Sequence, residues 1–300
     1  MARDPEEATA RGAPARAEIA SATRMGAIHL TVADLDRSVR YYERTVGLTV
    51  RERTDGHAVM SVGQTDLVEL TEIRGARPAD GHSGLYHFAL LLPERADLAR
   101  WLAHAGRDQV PLVGLSDHYV SEAIYLSDPD HHGIEIYWDR PRRLWEGRVA
   151  ERMTTLPLDV GSLLGELHEP ARASFDGLPE GTTMGHVHLR VIAIPETISF
   201  YRDVLGFGLM AALGSHAAFL SAGGYHHHLG ANTWESAGAP QAPPGSATLA
   251  RVTIVLPDAE ARERLAERTA AAGRPPEPAA GGELFLRDPS GNPLTFITAG

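Results

Sequence analysis

Residues 25–48 read MGAIHLTVADLDRSVRYYERTVGL, and residues 184–207 read MGHVHLRVIAIPETISFYRDVLGF. Both stretches begin with Met-Gly, continue with a histidine inside a short apolar strand, and end with a helix that a glycine closes. The shared histidine and the tyrosine that follows it lie 13 residues apart in each stretch, and the two stretches are offset by 159 residues. An internal repeat is therefore the first feature that a fold prediction has to explain.

A second pair of similar stretches lies further along the chain. LYHFALLLPERADLARWLAHAG, from Leu85, parallels LARVTIVLPDAEARERLAERTAAAG, from Leu249, as a strand followed by a helix. YLSDPDHHGIEIYW, from Tyr125, parallels FLRDPSGNPLTFIT, from Phe285, as two strands joined by an Asp-Pro turn. The pattern predicts four βαβββ units, two in each half of the chain, which make two modules.

Composition changes predict where these modules begin and end. Residues 1–24 are polar and predict a flexible N-terminal tail. We expect an N-terminal module that carries the metal site at 25–140 and a C-terminal module at 181–300. A connector with one short helix, near LDVGSLLGELHEP, is expected at 141–180.

Bulk composition excludes several classes of protein. The net charge of −11 repels nucleic acid and anionic membranes, so neither is expected as a partner. The 300 residues include no cysteine, which excludes disulfides and thiolate metal sites. No stretch approaches 18 consecutive apolar residues, and the N-terminus has no apolar signal core. We expect a cytoplasmic protein.

Five stretches together carry a resemblance to a known family: LYHFALLLP, VSEAIYLSDPD, GIEIYWDRP, MGHVHLRV and SAGGYHHHLGANTW. The chain resembles the vicinal oxygen chelate (glyoxalase/bleomycin resistance/dioxygenase) superfamily, in its two-module catechol 2,3-dioxygenase-like branch, over about residues 25–300. In that family each pair of units folds into a cup. The resemblance thus implies an α+β fold in which four βαβββ units pair into two cup-shaped mixed β-sheet modules.

Three polar residues interrupt apolar strands: His29 in AIHLTV, His87 in LYHFAL and Glu135 in GIEIYW. Strand side chains alternate, so each of them points away from its large apolar neighbours, toward the inside of a cup. A single strand histidine is more often a core or rim residue, but two histidines and one carboxylate form the facial triad of non-haem Fe(II) enzymes. In the resembled extradiol dioxygenases the ligands occupy positions that match these three residues.

This resemblance implies an Fe(II)-dependent extradiol dioxygenase that cleaves a catechol or related vicinal diol with O2. Such an enzyme yields a product of the 2-hydroxymuconic semialdehyde type. Mn(II) accepts the same ligands and is the alternative metal. Extradiol relatives often assemble, so a homo-oligomer is also expected.

Three further residues are predicted to act on the substrate. The resembled dioxygenases carry a tyrosine ten residues before the glutamate, which matches Tyr125, and a histidine somewhat upstream, which approximately matches His118. His82 is the candidate acid–base histidine. The alternatives are a tyrosine that packs on its strand and, for His82, a solvated loop residue.

Glu69, in DLVELTEI, supports a second hypothesis. It resembles the glutamate of glyoxalase I that provides a fourth metal ligand. A site of two histidines and two carboxylates suits Ni(II), Co(II) or Zn(II) and an isomerase, epimerase or lyase. A third hypothesis is a non-enzymatic small-molecule binding module.

The run His226–His228 is the densest histidine cluster of the chain. With His188 it predicts a second-module metal site, although Thr295 stands where the first module has its glutamate. The alternatives are residues that line a pocket, contact the other module or form a buried hydrogen-bond network.

Overall fold

A computed structural model of the chain describes residues 18–167, 175–278 and 280–299. The described strands form two curled mixed sheets with helices packed against them, which confirms the predicted α+β fold of repeated units. Among the helices in these ranges, none is long and apolar enough to cross a bilayer.

The elements follow the predicted order of units. The first unit contains β1 (Arg24–Val32), α1 (Leu35–Tyr41) with a π-helical turn (Tyr42–Val46), β2 (Thr49–Thr54), β3 (His57–Val62) and β4 (Thr65–Glu72). The second contains β5 (Gly84–Leu92), α2 (Arg95–Arg107), β6 (Gly114–Asp117), β7 (Ser121–Ser127) and β8 (Gly133–Asp139).

The third and fourth units repeat this plan. The third contains β10 (Thr183–Arg190), α5 (Ile194–Ile198) with a π-helical turn (Ser199–Val204), β11 (Gly208–Leu213), β12 (Ala217–Ser221) and β13 (Leu229–Asn232). The fourth contains β14 (Leu249–Leu256), α6 (Ala259–Ala271), β15 (Glu277–Pro278), a 3-10 turn (Ala280–Gly282), β16 (Leu284–Arg287) and β17 (Pro293–Thr298).

The connector and the N-terminal segment are partly described. The connector contains a 3-10 turn (Arg142–Leu144), α3 (Val149–Arg152), β9 (Leu156–Pro157) and α4 (Val160–Leu164). Most of the predicted tail lies outside the described residues. Its end, however, is held in place: Ile19 is buried, and its amide donates to the carbonyl of Gly206 at 2.9 Å.

The sheets combine units from different halves of the chain. The first sheet has the order β15-β16-β17-β14-β1-β4-β3-β2, and the second has β11-β12-β13-β10-β5-β8-β7-β6-β9. At the centre of each sheet two first strands pair antiparallel, β1 with β14 and β5 with β10. We expected each cup to form from one half, 25–140 or 181–300. Instead, one cup combines the first and fourth units and the other combines the second and third.

Buried tyrosines join the two units that belong to the same half of the chain. The Tyr42 hydroxyl donates to Asp128 at 3.0 Å, and the Tyr201 hydroxyl donates to Asp288 at 3.2 Å. The two tyrosines occupy equivalent positions in the repeated strand–helix motif, and the two aspartates open the repeated Asp-Pro turns. The repeats visible in the sequence therefore mark joints between units, while the hydrogen-bonded sheets follow a different grouping.

Candidate metal centre

Three strands of the second sheet bring three donor atoms together. Glu135 on β8 and His186 on β10 both lie in register with Ala89 on the central strand β5. His87 lies two residues before Ala89, so the alternation of strand side chains places it on the same face. The small side chain of Ala89 leaves room for the three larger ones to converge above it.

The donor atoms form a compact triangle. The Nε2 atoms of His87 and His186 each lie 3.0 Å from Oε2 of Glu135 and 3.4 Å from one another. All three residues are buried, and each side chain is at most 8% exposed. A carboxylate removed from water needs partners of positive or hydrogen-bonding character, and here both partners are imidazoles.

The electrostatics of the triangle keep the carboxylate ionised. Burial alone would raise the pKa of Glu135, but His186 and His87 outweigh burial and hold that pKa well below its usual range. Burial lowers the pKa of His186, so this imidazole favours the neutral form that binds metals. The group therefore provides one anionic donor, Glu135, and a neutral imidazole donor, His186.

These residues fit a single divalent metal ion. Ligand bonds of about 2.1 Å place neighbouring donors about 3.0 Å apart at right angles and about 3.4 Å apart in a tetrahedron. The observed separations of 3.0, 3.0 and 3.4 Å span this range. Three donors on one face leave the opposite side open toward the cavity, as in a facial triad.

The triad lies in the wall of a cavity of about 390 Å³. Small-molecule sites commonly have about 300–1,000 Å³, so this volume accommodates a substituted ring. The wall combines many polar side chains with apolar and aromatic ones; the apolar and aromatic residues include Tyr86, Val113, Met153, Leu213, Phe219 and Trp234. Val113 and Trp234 are large apolar residues that remain exposed.

Tyr125 and His118 lie in this cavity beside the triad. Tyr125 is opposite Glu135 in the β7–β8 register, and its hydroxyl is 2.7 Å from Nε2 of His118. Nδ1 of His118 donates to the carbonyl of Thr154 at 2.9 Å, because a carbonyl can only accept. In a neutral ring Nε2 is then the acceptor, so the tyrosine hydroxyl is oriented by His118.

Of the predicted second-module residues, His188 is the one that lines this same cavity. His188 pairs with His87 in register, and their ring centroids are 4.9 Å apart. Its Nε2 is buried and has no hydrogen-bond partner among the described residues, as expected of an atom beside a bound group. His226 and His228 lie in the loop before β13, not in a strand, and His226 bonds to Asp139. The expected separate metal site is therefore not formed.

His29 lies in the other sheet, which corrects the predicted trio. Its Nε2 bonds to the hydroxyl of Thr71 at 2.8 Å, and its Nδ1 lies 3.7 Å from Glu69. Arg251 occupies the position that corresponds to His87 and binds Glu69 at 2.5 Å. The physical reason is strand pairing. Because β1 pairs with β14, His29 lies in the first sheet, whereas His87 lies on β5 in the second sheet.

This placement also separates Glu69 from His87 and Glu135, so the predicted four-ligand set is not assembled. His29, His57 and Glu69 do place potential metal donors within 4.8 Å of one another. The guanidinium of Arg251 already neutralises Glu69, and its charge opposes a divalent cation.

His82 lies outside the cavity wall, which corrects its predicted place in the site. Its Nδ1 bonds to the backbone carbonyl of Asp80 at 2.9 Å, and it lies in the turn before β5. It lies two residues before β5 begins at Gly84, so the alternation of that strand does not place its side chain in the cavity. This position agrees with the alternative of a solvated loop histidine.

Two residues of the centre were not predicted. His186 was overlooked because the repeat aligns His188 with His29 and leaves Ala27 opposite His186. A histidine that only one of the two repeats carries indicates a role specific to that unit, and this difference could have identified His186. His227 belongs to the predicted histidine run but was not among its predicted metal ligands; it lines the cavity, and its ring centroid is 4.1 Å from that of His186.

Comparisons with known proteins agree with this architecture. The model of the Glyoxalase/Bleomycin resistance protein/Dioxygenase superfamily matches residues 24–136 and 183–296. A protein of Bacillus subtilis (strain 168) named catechol-2,3-dioxygenase is 40% identical over 284 residues, which cover 92% of this chain and 97% of that protein.

Solved structures share the fold at low sequence identity. A structure from Bacillus subtilis subsp. subtilis str. 168, named only provisionally as a dioxygenase, has a TM-score of 0.62 at 15% identity and covers 94% of this chain and 86% of its own. Glyoxalase I from Zea mays has a TM-score of 0.53 at 19% identity, with 92% of each chain covered.

Proposed function

Because this chain belongs to the Glyoxalase/Bleomycin resistance protein/Dioxygenase superfamily, in its two-module catechol 2,3-dioxygenase-like branch of oxidoreductases, we propose that it is an Fe(II)-dependent extradiol dioxygenase. The substrate is a catechol or a related vicinal diol, and the co-substrate is O2. The observation that carries the proposal is the convergence of two imidazoles and one carboxylate in the wall of a ring-sized cavity.

The donor set favours Fe(II). His87, Glu135 and His186 would hold the ion, and when bound it would activate the diol and dioxygen toward one another on its open face. Mn(II) accepts the same donors. The metals expected for a four-ligand site depend on Glu69, which lies in the other sheet.

The cavity provides groups that bind and orient a diol. The hydroxyl of Tyr125, held by His118, can hydrogen-bond a substrate oxygen beside the triad. Tyr86, Phe219 and other ring-bearing residues of the wall provide apolar contacts for the substrate ring and exclude water.

His227 is the residue that accepts the proton of the substrate. It lines the cavity against His186, and its Nδ1 contacts His226. Its Nε2 is therefore the nitrogen available for general acid–base chemistry. Both atoms of O2 enter the product, so no external reductant is required.

Oxygen uptake tests this proposal. Protein reconstituted with Fe(II) under anaerobic conditions is supplied with a panel of substituted catechols in oxygenated buffer. We expect one O2 to be consumed for each yellow ring-opened product formed. If one metal ion binds per chain and no catechol in the panel supports oxygen uptake, the proposed function is wrong.

A further inference from the structure

A chain of hydrogen bonds leads from Asp139, at the end of β8, through His226 to His227 at the cavity. Nε2 of His226 lies 2.8 Å from Oδ1 of Asp139, and Nδ1 of His226 lies 2.8 Å from Nδ1 of His227. His226 is fully buried and His227 is 6% exposed. No water is needed to connect these three side chains.

With His226 neutral, this geometry determines which nitrogens carry protons. A carboxylate can only accept, so the proton between Asp139 and His226 belongs to Nε2 of His226. In neutral His226 the other nitrogen, Nδ1, is then an acceptor. The proton between the two Nδ1 atoms must therefore belong to His227, which leaves the lone pair of His227 on Nε2.

Ring packing fixes the orientation of the His227 side chain. Its ring is held between His186 and Phe219, at centroid distances of 4.1 and 5.2 Å. The ring therefore has little freedom to turn the other nitrogen toward the cavity.

Asp139 is itself held from its other side. Its Oδ2 accepts from the hydroxyl of Tyr225 at 2.8 Å, and that hydroxyl lies 2.8 Å from the hydroxyl of Tyr137. The Tyr225 ring also lies against His226, at a centroid distance of 4.0 Å. A side chain at Gly185 would collide with the Tyr137 hydroxyl, so glycine is needed there.

We propose that Asp139 and His226 are positioning residues that hold His227 with the lone pair of Nε2 facing the substrate. This inference rests on the proposed function for its catalytic consequence. In the supported step a substrate O–H bond breaks, its electron pair stays on oxygen, and the proton binds Nε2 of His227. The proton then leaves with the carboxyl group of the ring-opened product, which restores His227.

The test compares Asp139→Asn with Tyr225→Phe. An asparagine side chain can turn its amide N–H toward His226 and reverse the tautomer, whereas Tyr225→Phe keeps both Asp139 and the ring that packs on His226. General acid–base catalysis contributes about 10²–10⁴-fold. We expect Asp139→Asn to lower kcat about 10–100-fold with unchanged metal content and KM for catechol. Tyr225→Phe removes only the second hydrogen bond of Asp139 and leaves the Asp139–His226 contact, so we expect it to lower kcat by less, about threefold at most.

Nitrogen-15 NMR of the zinc-loaded protein tests the tautomers without any turnover. We expect His227 to carry its proton on Nδ1 and His226 on Nε2, and we expect Asp139→Asn to change both. A proton on Nε2 of His227 in the original protein would overturn the inference, as would equal losses of kcat in the two variants. If no catechol is turned over but the NMR result is as expected, the proposed function fails and the positioning of His227 stands.

Discussion

Replacing His186 by alanine removes one corner of a triangle of donor atoms whose edges are 3.0 to 3.4 Å. We expect His186→Ala to lose stoichiometric Fe(II) binding and at least about 10³-fold of ring-cleavage activity. Catalytic metal sites commonly rely on three protein ligands, so a missing one leaves a weak and misdirected site. Metal content after dialysis and oxygen uptake measure the two effects.

His29→Ala is the matched control for His186→Ala, because each variant removes a histidine from the first strand of a unit. The strand pattern predicts His29 as a ligand, whereas the structure places it beside Thr71 and Glu69 in the other sheet. We expect this variant to keep its metal and to retain kcat within about twofold. Loss of metal in His29→Ala and retention in His186→Ala would contradict the placement of the centre in the second sheet.

His228 makes a specific contribution to the pH dependence of stability. Burial lowers the pKa of His228 to about 3, while its ordinary value is about 6.5. The unfolded chain therefore binds more protons between these values, and the free energy of unfolding falls by about 1.4 kcal/mol per unit as the pH drops below 6.5. Above pH 6.5 this residue contributes no pH dependence.

His228→Asn isolates that contribution in urea unfolding at several pH values. Nδ1 of His228 accepts from the amide of Ala222 at 3.2 Å, and an asparagine oxygen can replace this acceptor without titrating. We expect the stability of the original protein relative to the variant to decrease steadily from pH 6.5 downward. A constant difference over this range would show that His228 titrates normally in the folded chain.

At the scale of elements, the two π-helical turns place Tyr42 and Tyr201 against the Asp-Pro turns of the neighbouring units. We expect Tyr42→Phe to lower the free energy of unfolding by about 1–3 kcal/mol, because it removes the buried hydrogen bond that the Tyr42 hydroxyl donates to Asp128. Tyr41→Phe is the control: its hydroxyl donates to the carbonyl of Ser127 in an exposed position, so its loss should cost under about 1 kcal/mol. A larger loss of stability in Tyr41→Phe than in Tyr42→Phe would contradict this account of the contact between the two units.

Strand alternation predicted some site residues well and others not at all. His87, Tyr125 and Glu135 share one unit, so the period of two and short-range pairing bring them to one face. His226–His228 were expected to alternate in a strand, but they lie in a loop that begins after β12. A hydrogen bond from the Ala222 amide to His228 closes that loop, and His226 bonds to Asp139, a distant partner that no local sequence pattern predicts.

At the scale of the whole molecule, the repeat predicts four units but does not determine which of them share a sheet. Each unit presents its first strand for antiparallel pairing, and the first strands of all four units resemble one another. The observed pairing joins His29 to Arg251 and His87 to His188, residues that are far apart in the chain. Local propensity cannot distinguish these partners, so the predicted ligand from the first unit was assigned to the wrong cup.

The shared sheets predict that neither half of the chain forms a complete metal centre. A fragment of residues 1–140 keeps His87 and Glu135 but lacks His186, and it exposes β1 and β5 along the edges that β14 and β10 normally cover. We expect this fragment and a fragment of residues 141–300 to bind no stoichiometric Fe(II) when each is alone. Co-refolding of the two at equal concentration should restore one metal ion per pair and oxygen uptake with catechol. Stoichiometric metal binding by the N-terminal fragment alone, abolished by His29→Ala, would instead support cups built from contiguous halves of the chain.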